Sequence, residues 1–589
     1  IIKVIKRDLK NVVGEVIIKK NKMYLKLDDT KKDITILLNP DTTHNCVEGH
    51  KVLVEVAEKL KNKVYLGNVL KIIGHKNDPQ VDILSIAYKY GIYEDFSDEV
   101  IKQLDDIPDK VNPQDLANRR DLTNETIFTI DGDDTKDIDD AVSLQKHGEN
   151  YILGVHIADV SNYVKENTPL GDESYMRGTS SYLADTVIPM LPHKLSNGIC
   201  SLNEGEVRLS MSCVMEFNLK GELVDYDIFP SYLKSSKKMT YKNVNKIIME
   251  NVVPEGYEAY ADTLKEMHHL ANILRKMKER RGYMDFDLDE VKIIQDANGH
   301  AIDIQKRVRG EGEKLIEDFM IAANECVAAH IYNMGLPFIY RIHEKPKPEK
   351  IEDFMNMIKL LGYKLHTNTK EITPHTMQSI LAELKGKEEF EILSEMLLRS
   401  MRKAEYSSEN LGHFGIASRA YTHFTSPIRR YPDLMVHRLL KKYLVEKDYS
   451  NHTIDSFTAS LSEIAAHSSE REVAAVNAER DVDDMKMAEY MENHVGEEYI
   501  GKISGVTNFG FFVELDNLIE GLVHVSSLKK DYFTYVPELL SMVGKSTKKT
   551  YRLGDKVKVK CVAANKMTAM IDFEIVEDKN GNSKSQSKI

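Results

Sequence analysis

Residues 128–144 read Phe128-Thr-Ile-Asp-Gly-Asp-Asp-Thr-Lys-Asp-Ile-Asp-Asp-Ala-Val-Ser-Leu, and no other stretch of the chain is as informative. Six aspartates fall between Asp131 and Asp140, directly after a short apolar segment that is typical of a strand. Carboxylates this close repel one another, so solvent or bound cations must separate them in the folded protein. The stretch therefore predicts either a solvated acidic turn or a cation site.

Three interpretations of the aspartates compete. A solvated turn is the common outcome for an acidic run. A calcium loop of the EF-hand type requires Gly at its sixth position and Glu at its twelfth, but counting from Asp131 these positions hold Lys136 and Val142. A magnesium site for phosphoryl chemistry requires a compact set of carboxylates that shares the ion with phosphate and water. The surrounding sequence favours the third interpretation.

The aspartate run and its surroundings resemble the RNB catalytic domain of the ribonuclease II/R family. Asn118-Arg-Arg-Asp-Leu-Thr precedes the run. Four aspartates match the spacing of the family: Asp131, Asp137, Asp139 and Asp140. The resemblance implies that these four hold one or two Mg²⁺ ions, which Mn²⁺ could replace, at the scissile phosphate, and that Asp139 is catalytic. Asp133 and Asp134 fall outside the spacing, and we interpret them as turn residues.

Two further motifs match the same family in the same order. Arg177-Gly-Thr-Ser-Ser-Tyr-Leu-Ala-Asp-Thr-Val-Ile-Pro-Met-Leu-Pro contains Tyr182, which the resemblance assigns to catalysis and to packing against the terminal nucleotides of RNA. Phe424-Thr-Ser-Pro-Ile-Arg-Arg-Tyr-Pro-Asp-Leu contains Arg429, the expected catalytic arginine. A planar guanidinium can bind two phosphate oxygens at once, which an ammonium does less well.

Each of these assignments has a structural alternative. Tyr182 is otherwise a buried tyrosine with a bonded hydroxyl. Arg429 is otherwise the partner of Asp433 or Glu479 in a salt bridge. Arg430 either assists in RNA binding or pairs with an acid.

A third segment, Arg280-Arg-Gly-Tyr-Met-Asp-Phe-Asp, also resembles the family. Phe286 within it either stacks on a base or packs in the core. Basic residues gather in 275–281, 306–309 and 429–442, which fits a channel that draws in a phosphate backbone. Any one of these runs alone is more often a solvated helix face.

Both ends of the chain are predicted to form small β-barrels. Residues 1–75 contain about five alternating strands joined by polar turns, the size of a cold-shock or OB barrel. Near the other end, Tyr499-Ile-Gly-Lys-Ile-Ser-Gly-Val-Thr-Asn-Phe-Gly-Phe-Phe-Val-Glu-Leu resembles the S1 RNA-binding domain, which is also an OB barrel. That resemblance places Phe509, Phe512 and His524 on one face for stacking bases. The alternative is that the phenylalanines belong to the core.

The predicted fold is multidomain α+β, with OB-fold β-barrels of the cold-shock and S1 types flanking a large mixed α/β RNB catalytic domain. The expected parts are a cold-shock barrel (1–75), a connector (76–117), the RNB domain (118–445), its helical extension (446–495), an S1 barrel (497–577) and a disordered polar tail (578–589).

Bulk composition limits the possible functions. The net charge of −13 argues at first against a nucleic-acid partner, but local clustering of cations matters more. No stretch approaches the roughly 20 apolar residues of a membrane helix, so we expect no membrane contact. The five cysteines are scattered, which favours reduced thiols in a cytoplasmic protein. Because the chain begins with Ile1 rather than Met, we expect a fragment or a processed product.

The resemblance implies a processive 3′→5′ exoribonuclease that hydrolyses single-stranded RNA, and structured RNA if it can unwind it, to 5′-mononucleotides in RNA degradation and processing. We expect a monomer that binds the single-stranded 3′ end. Arg430 followed by Tyr431-Pro-Asp resembles ribonuclease R more closely than ribonuclease II. Two rivals remain. One is an RNB-fold RNA-binding regulator, which would usually lack a catalytic aspartate, and the other is a nuclease preferring DNA or phosphorylated small molecules.

Overall fold

The computed structural model describes residues 10–576, except 29–31, 44, 285, 287–288, 361, 366, 368–370, 388–389 and 538–539. The tail at 578–589, for which we predicted disorder, lies outside the described residues.

A closed five-stranded barrel forms the N-terminal part. Its strands are β1 (Asn11–Lys19), β2 (Lys22–Leu27), β3 (Thr35–Leu38), β4 (His50–Lys61) and β5 (Val64–His75). They follow the order β1-β2-β3-β5-β4, in which only β3 and β5 are parallel neighbours. Because successive side chains of a strand face opposite sides, residues such as Val16, Ile36 and Val54 fill the interior. Two helices, α1 (Val81–Lys89) and α2 (Asp98–Gln103), connect this barrel to the middle region.

The middle region begins with a set of strands and one helix. They are β6 (Arg120–Asp121), β7 (Thr129–Asp131), β8 (Asp140–His147), β9 (Asn150–Ala158), α3 (Pro169–Arg177, a helix), β10 (Ser181–Leu183), β11 (Thr186–Ile188), β12 (Val207–Phe217), β13 (Leu223–Lys234) and β14 (Lys238–Thr240). The main sheet has the order β6-β13-β12-β9-β8, while β7 pairs with β14 and β10 pairs with β11.

Helices and two short pairs of antiparallel strands complete this region. They are α4 (Tyr241–Glu250), α5 (Ala261–Arg281), β15 (Glu290–Gln295), β16 (Ala301–Arg307), α6 (Glu311–Met334), β17 (Tyr340–Ile342), α7 (Pro348–Leu360), α8 (Pro374–Leu384), α9 (Phe390–Ser400), β18 (Glu405–Ser407), α10 (Tyr431–Leu440) and α11 (Asn451–Glu492). One core joins the sheet to α5 and α6 through residues such as Leu153, Met211, Leu270 and Phe319.

The helix α11 is 42 residues long and lies within the range 446–495 in which we predicted helix. It begins at an N-cap, Ser450, whose side chain accepts a hydrogen bond from the backbone N–H of Thr453. Ala478 and Val482 pack against Ile83 of α1, and Ala488 and Met491 pack in the C-terminal core. Among the described helices, none combines the length and the apolar composition that a membrane span requires.

A second closed barrel forms the C-terminal part. The strands of this part are β19 (Glu498–Thr507), β20 (Gly510–Leu515), β21 (Glu520–His524), β22 (Phe533–Val536), β23 (Ser541–Gly544), β24 (Thr550–Arg552), β25 (Lys556–Asn565) and β26 (Met570–Ile575). The barrel order is β19-β20-β21-β26-β25, and β22-β23-β24 form a separate small sheet. Two OB-like barrels that flank a mixed α/β body confirm the predicted fold class, whereas the predicted domain boundaries stay predictions.

Candidate active site

The aspartate run connects two strands of the middle region. Asp131 ends β7 and Asp140 begins β8. The connecting loop is fixed by Ser201, whose Oγ donates to the carbonyl of Lys136 over 2.7 Å and accepts from the N–H of Ile138 over 3.0 Å. These two hydrogen bonds hold the loop in place, and they thereby fix the positions of the matched aspartates. The unmatched pair, Asp133 and Asp134, is exposed in a turn.

Asp139 is the most enclosed carboxylate of the run, with 5% of its surface exposed. Its Oδ1 accepts a hydrogen bond from the backbone N–H of Ile428 over 2.8 Å, and its Oδ2 lies 3.7 Å from Nε of Arg429. Burial raises the pKa of Asp139 well above its usual range, and Arg429 and the Ile428 N–H oppose that rise. The side chain is therefore held in one orientation between the arginine motif and the aspartate loop.

Nearby positive charges only partly balance the carboxylates of Asp131 and Asp140. Burial raises the pKa of Asp131 to about 8, with the charge of Asp140 adding to the rise and Lys238 opposing it. Burial also raises the pKa of Asp140 to about 6, against the effect of Arg429. The Oδ2 atom of Asp131 is buried without a hydrogen-bond partner. A cation bound here would satisfy that oxygen and neutralise the repulsion.

The described residues hold no group of three Asp, Glu, His or Cys side chains that could bind a metal ion on their own. Mg²⁺ commonly binds through one or two carboxylates and completes its shell with substrate phosphates and water. An orphaned carboxylate oxygen beside a second buried carboxylate fits that mode of binding. The donor set therefore suits a hard dication such as Mg²⁺ or Mn²⁺.

The two adjacent arginines have different partners. Arg429 is 42% exposed, and its Nη2 donates to Oγ of Ser426 over 3.0 Å. Arg430 is largely buried, and its Nη2 donates over 2.8 Å to Oδ1 of Asp433, which also accepts from the N–H of Ser426. Arg429 thus faces Asp139 instead of pairing with Asp433. Arg430 takes the alternative role, the pairing with an acid.

Tyr182 stands at the edge of the same site, 38% exposed, with its hydroxyl 3.4 Å from Oδ2 of Asp137. Its hairpin is joined to the arginine motif, because the N–H of Ser180 donates to the carbonyl of Arg429 over 2.9 Å. Burial of the hydroxyl end raises the pKa of Tyr182. The tyrosine is therefore a protonated, accessible ring beside the aspartates rather than a core residue.

Sequence reasoning missed two residues of the site. Lys238 donates to the carbonyl of Thr135, and its charge opposes the raised pKa of Asp131. Tyr241 follows it at the start of α4, and burial and the charges of Asp140 and Asp131 raise its pKa. Both arrive through the parallel pairing of β14 with β7, in which Thr240 lies opposite Asp131. No local signal in the sequence indicates that pairing.

The predicted stacking residues of the C-terminal barrel lie near one another. Phe509 is exposed, Phe512 is half-buried, and their ring centroids are 6.2 Å apart in an edge-to-face arrangement. His524 is exposed, opposite Gly510 in the neighbouring strand. Phe511, between the two other phenylalanines in sequence, points into the core. The alternation of β20 thus leaves Phe512 on the outside with Phe509 beside it.

Other residues that we considered for RNA contact have internal partners. Phe286 packs against the core of α7, α8 and α9, as its structural alternative predicted. The basic runs pair with acids as follows: Arg275 with Glu311 and Asp318, Lys278 with Asp318, Arg281 with Glu325, Lys306 with Asp289, Arg309 with Glu317, and Lys441 with Asp159. These cations pair with acids inside the middle region, so they offer less charge to RNA than the sequence suggested.

Comparison with known proteins identifies three matching family models: the RNB domain over residues 119–446, the cold shock domain over 24–97 and the S1 RNA binding domain over 492–575. Ribonuclease R 1 of Lactococcus lactis is 44% identical over 594 residues, which cover 98% of this chain and 72% of that protein. Ribonuclease R of Thermotoga maritima is 44% identical over 585 residues, which cover 98% of this chain and 82% of that protein.

A solved structure is similar throughout. Mycoplasma genitalium RNase R in complex with ribose methylated single-stranded RNA superposes with a TM-score of 0.92 at 29% sequence identity. The superposition covers 98% of this chain and 91% of that chain. The order and fold of the three domains are therefore common to both molecules.

Proposed function

Because the chain belongs to the ribonuclease R family and is a hydrolytic 3′→5′ exoribonuclease that degrades RNA, we propose that its reaction takes place between the aspartate loop and Arg429. The observation that carries this assignment is the environment of Asp139. A buried carboxylate held by the Ile428 N–H and 3.7 Å from Nε of Arg429 links the two motifs that carry opposite charges. A phosphate bound between the two motifs would contact the guanidinium of Arg429 on one side and the carboxylates on the other.

The proposed roles follow from these contacts. Arg429 is exposed on its outer side and binds the non-bridging oxygens of the scissile phosphate, where charge develops in the transition state. Asp131, Asp137, Asp139 and Asp140 are the residues that would hold Mg²⁺ there, one or two of them to an ion, with substrate phosphate and water as its other ligands. When bound, the ion would lower the pKa of the attacking water and neutralise phosphoryl charge. Water adds to phosphorus, the bond to the 3′-oxygen breaks, that oxygen receives a proton, and a 5′-mononucleotide is released.

The remaining residues bind the strand. Tyr182 packs against the terminal nucleotides, because its ring is accessible beside Asp137. Phe509, Phe512 and His524 stack on bases farther along the RNA. The similar Mycoplasma genitalium protein binds single-stranded RNA, which supports a single-stranded 3′ end as the substrate of this chain. Arg430 is left out of the binding set, because Asp433 already engages it.

The test is the degradation of a 5′-labelled single-stranded RNA on a sequencing gel, with Mg²⁺, with Mn²⁺ and with a chelator. We expect a ladder that shortens to a small 5′ fragment with either metal, and 5′-mononucleotides on chromatography. The chelator should stop the reaction. RNA that is bound but stays intact with Mg²⁺ would instead indicate the RNA-binding regulator, and efficient competition by unlabelled DNA would indicate the broader nuclease.

A second measurement locates the metal. Asp131→Asn should raise the Mg²⁺ concentration that gives half-maximal rate, because the buried oxygen that would bind the ion is replaced or turned away. Asp134→Asn is the matched control, since its side chain is exposed in the same loop. An unchanged Mg²⁺ requirement in Asp131→Asn would place the metal elsewhere.

We also infer a cytoplasmic monomer. The five cysteines are buried and unpaired, as expected for a protein in a reducing compartment. Light scattering on the purified protein measures the oligomeric state, and fractionation of cells measures the compartment.

A further inference from the structure

Charged side chains from separate parts of the chain meet at one point, which we call the junction and define as Asp82, Lys486, Glu489 and Lys566; Lys486 and Glu489 are buried, and Asp82 and Lys566 are partly exposed. Nζ of Lys486 lies 3.0 Å from Oδ2 of Asp82, 3.0 Å from Oε2 of Glu489 and 2.8 Å from the carbonyl of Gly299. An ammonium has three hydrogens to donate, and here each has an acceptor. Lys486 is therefore fully engaged although it is almost entirely buried.

Lys566 completes the junction from the C-terminal barrel. Its Nζ lies 2.6 Å from Oδ2 of Asp82, the same oxygen that contacts Lys486, and it also pairs with Oε1 of Glu489. The backbone N–H of Lys566 donates to Oε1 of Glu492 over 2.7 Å. One carboxylate oxygen of Asp82 thus binds two ammonium groups that belong to different parts of the fold.

The junction connects both barrels to α11. Asp82 lies in α1, whose Tyr88 packs with Val13 and Leu53 of the N-terminal barrel. Lys566 lies in the turn between β25 and β26, two strands of the C-terminal barrel. Lys486 and Glu489 belong to α11. A displacement of α1 or of the β25–β26 turn must therefore break contacts at the junction.

Apolar side chains surround these contacts, so the charged groups must keep their positions to stay paired. Ile83 and Val482 pack on the α1 side, and Ala301 and Ala488 pack on the side of the C-terminal barrel. Two carboxylates balance two ammonium groups, and a pair buried among apolar groups is costly unless every polar atom is satisfied. The junction is thus stable in one arrangement of the two barrels and costly in others.

We propose that Asp82 is a positioning residue that fixes the two barrels relative to each other and thereby sets how tightly the enzyme holds RNA outside its active site. The stacking pair Phe509 and Phe512 is on the barrel that Lys566 anchors. Loss of the anchor would let this surface move relative to the N-terminal barrel. Long RNA that contacts both barrels would bind less well, whereas the reaction at the aspartates would continue.

The test compares two RNA lengths. An OB barrel covers roughly 4–16 nucleotides, so an RNA of about 30 nucleotides spans both barrels and one of about 5 nucleotides fills little beyond the active site. In Asp82→Asn and in Lys566→Met we expect KM for the long RNA to rise several-fold. For the short RNA, kcat and KM should stay within about twofold of the original protein. The effects of the two substitutions should add to less than their sum in the double variant, because they share the contact between Asp82 and Lys566.

Asp109→Asn is the control, since it also removes one negative charge from the connector but from a side chain that is 89% exposed. Its KM for long RNA should not change. Thermal melting identifies a variant that fails to fold. If Asp82→Asn fails to fold, the test rests on Lys566→Met alone, because this residue lies in a turn at the surface. A folded Lys566→Met variant with unchanged KM for long RNA would overturn the proposal, as would an equal loss on both RNA lengths. Cleavage of short RNA reports the proposed catalytic site separately.

Discussion

Replacement of Asp139 by asparagine separates the shape of the active site from its charge. In the original protein the Ile428 N–H lies 2.8 Å from Oδ1 of Asp139, and asparagine keeps an oxygen that can accept this hydrogen bond. Nε of Arg429 lies 3.7 Å from Oδ2 of Asp139, and in the variant this oxygen is replaced by an NH₂ group. The substitution therefore removes the negative charge and leaves the loop anchored.

The expected loss of activity follows from that geometry. Opposite charges about 4 Å apart attract by about 4 kcal/mol at an effective dielectric constant of about 20, and the exposure of Arg429 reduces this figure. Removal of one preorganised electrostatic group from an active site typically lowers kcat by roughly 10²–10³-fold, or about 3–4 kcal/mol. We expect a loss of at least that size in Asp139→Asn, because the residue also belongs to the proposed metal-binding set.

Stability should respond in the opposite direction. Burial makes the ionised form of Asp139 costly, as its raised pKa indicates, and asparagine avoids that cost. The melting temperature of Asp139→Asn should therefore equal or exceed that of the original protein.

The assay is single-turnover degradation of 5′-labelled RNA, with binding measured separately by gel shift. Asp133→Asn is the control, because this neighbour in the same run is exposed. A rate within tenfold of the original would refute the assignment of Asp139. A variant that melts early or no longer binds RNA would show instead that the carboxylate is structural.

Three other predictions use the same preparations. Arg429→Lys keeps the charge but loses the planar fork, and single-turnover kinetics should show a fall of roughly 10²-fold with little change in RNA binding. Phe512→Ala should weaken the binding of long RNA by about 1–3 kcal/mol in a shift assay. Phe511→Ala, in the core, should instead lower the melting temperature. Burial lowers the pKa of His156 to about 3, so below its unfolded value of about 6.5 the unfolded chain binds the extra proton. Stability should therefore fall as the pH is lowered from about 7 towards about 3, and it should fall less steeply in His156→Gln.

Much of this fold could be predicted because its signals are local. The period-two alternation of Phe511 and Phe512 indicates which ring faces the core, and the structure agrees. The aspartate pattern is recognised from residue type and from the number of residues between the aspartates, and both can be read from the sequence. Such signals predict the barrels, the long helix and the aspartate loop without knowledge of their partners.

Contacts between distant residues could not be predicted in this way. The bond from the Ile428 N–H to Asp139 joins residues 289 positions apart, and a backbone donor carries no signature of its target. The cations of α5 are an instructive case. Their clustering suggested a path for phosphate, but Arg275 and Lys278 both engage Asp318 of α6. A run of like charges along a helix indicates one charged face, and only the packing of the neighbouring helix decides what that face contacts.

The adjacent residues Arg429 and Arg430 are chemically identical, but the fold gives them different partners. Asp433 is fully buried, and its Oδ1 accepts from both the Ser426 N–H and Nη2 of Arg430. That pairing closes the loop from 426 to 433 on itself and leaves Arg430 little freedom to meet a substrate. Only Oδ1 of Asp433 is engaged in this way, and the guanidinium of Arg429 lies instead beside Asp139. Arg430 thus holds the loop through Asp433, and the more exposed guanidinium of Arg429 is the one that we propose binds phosphate.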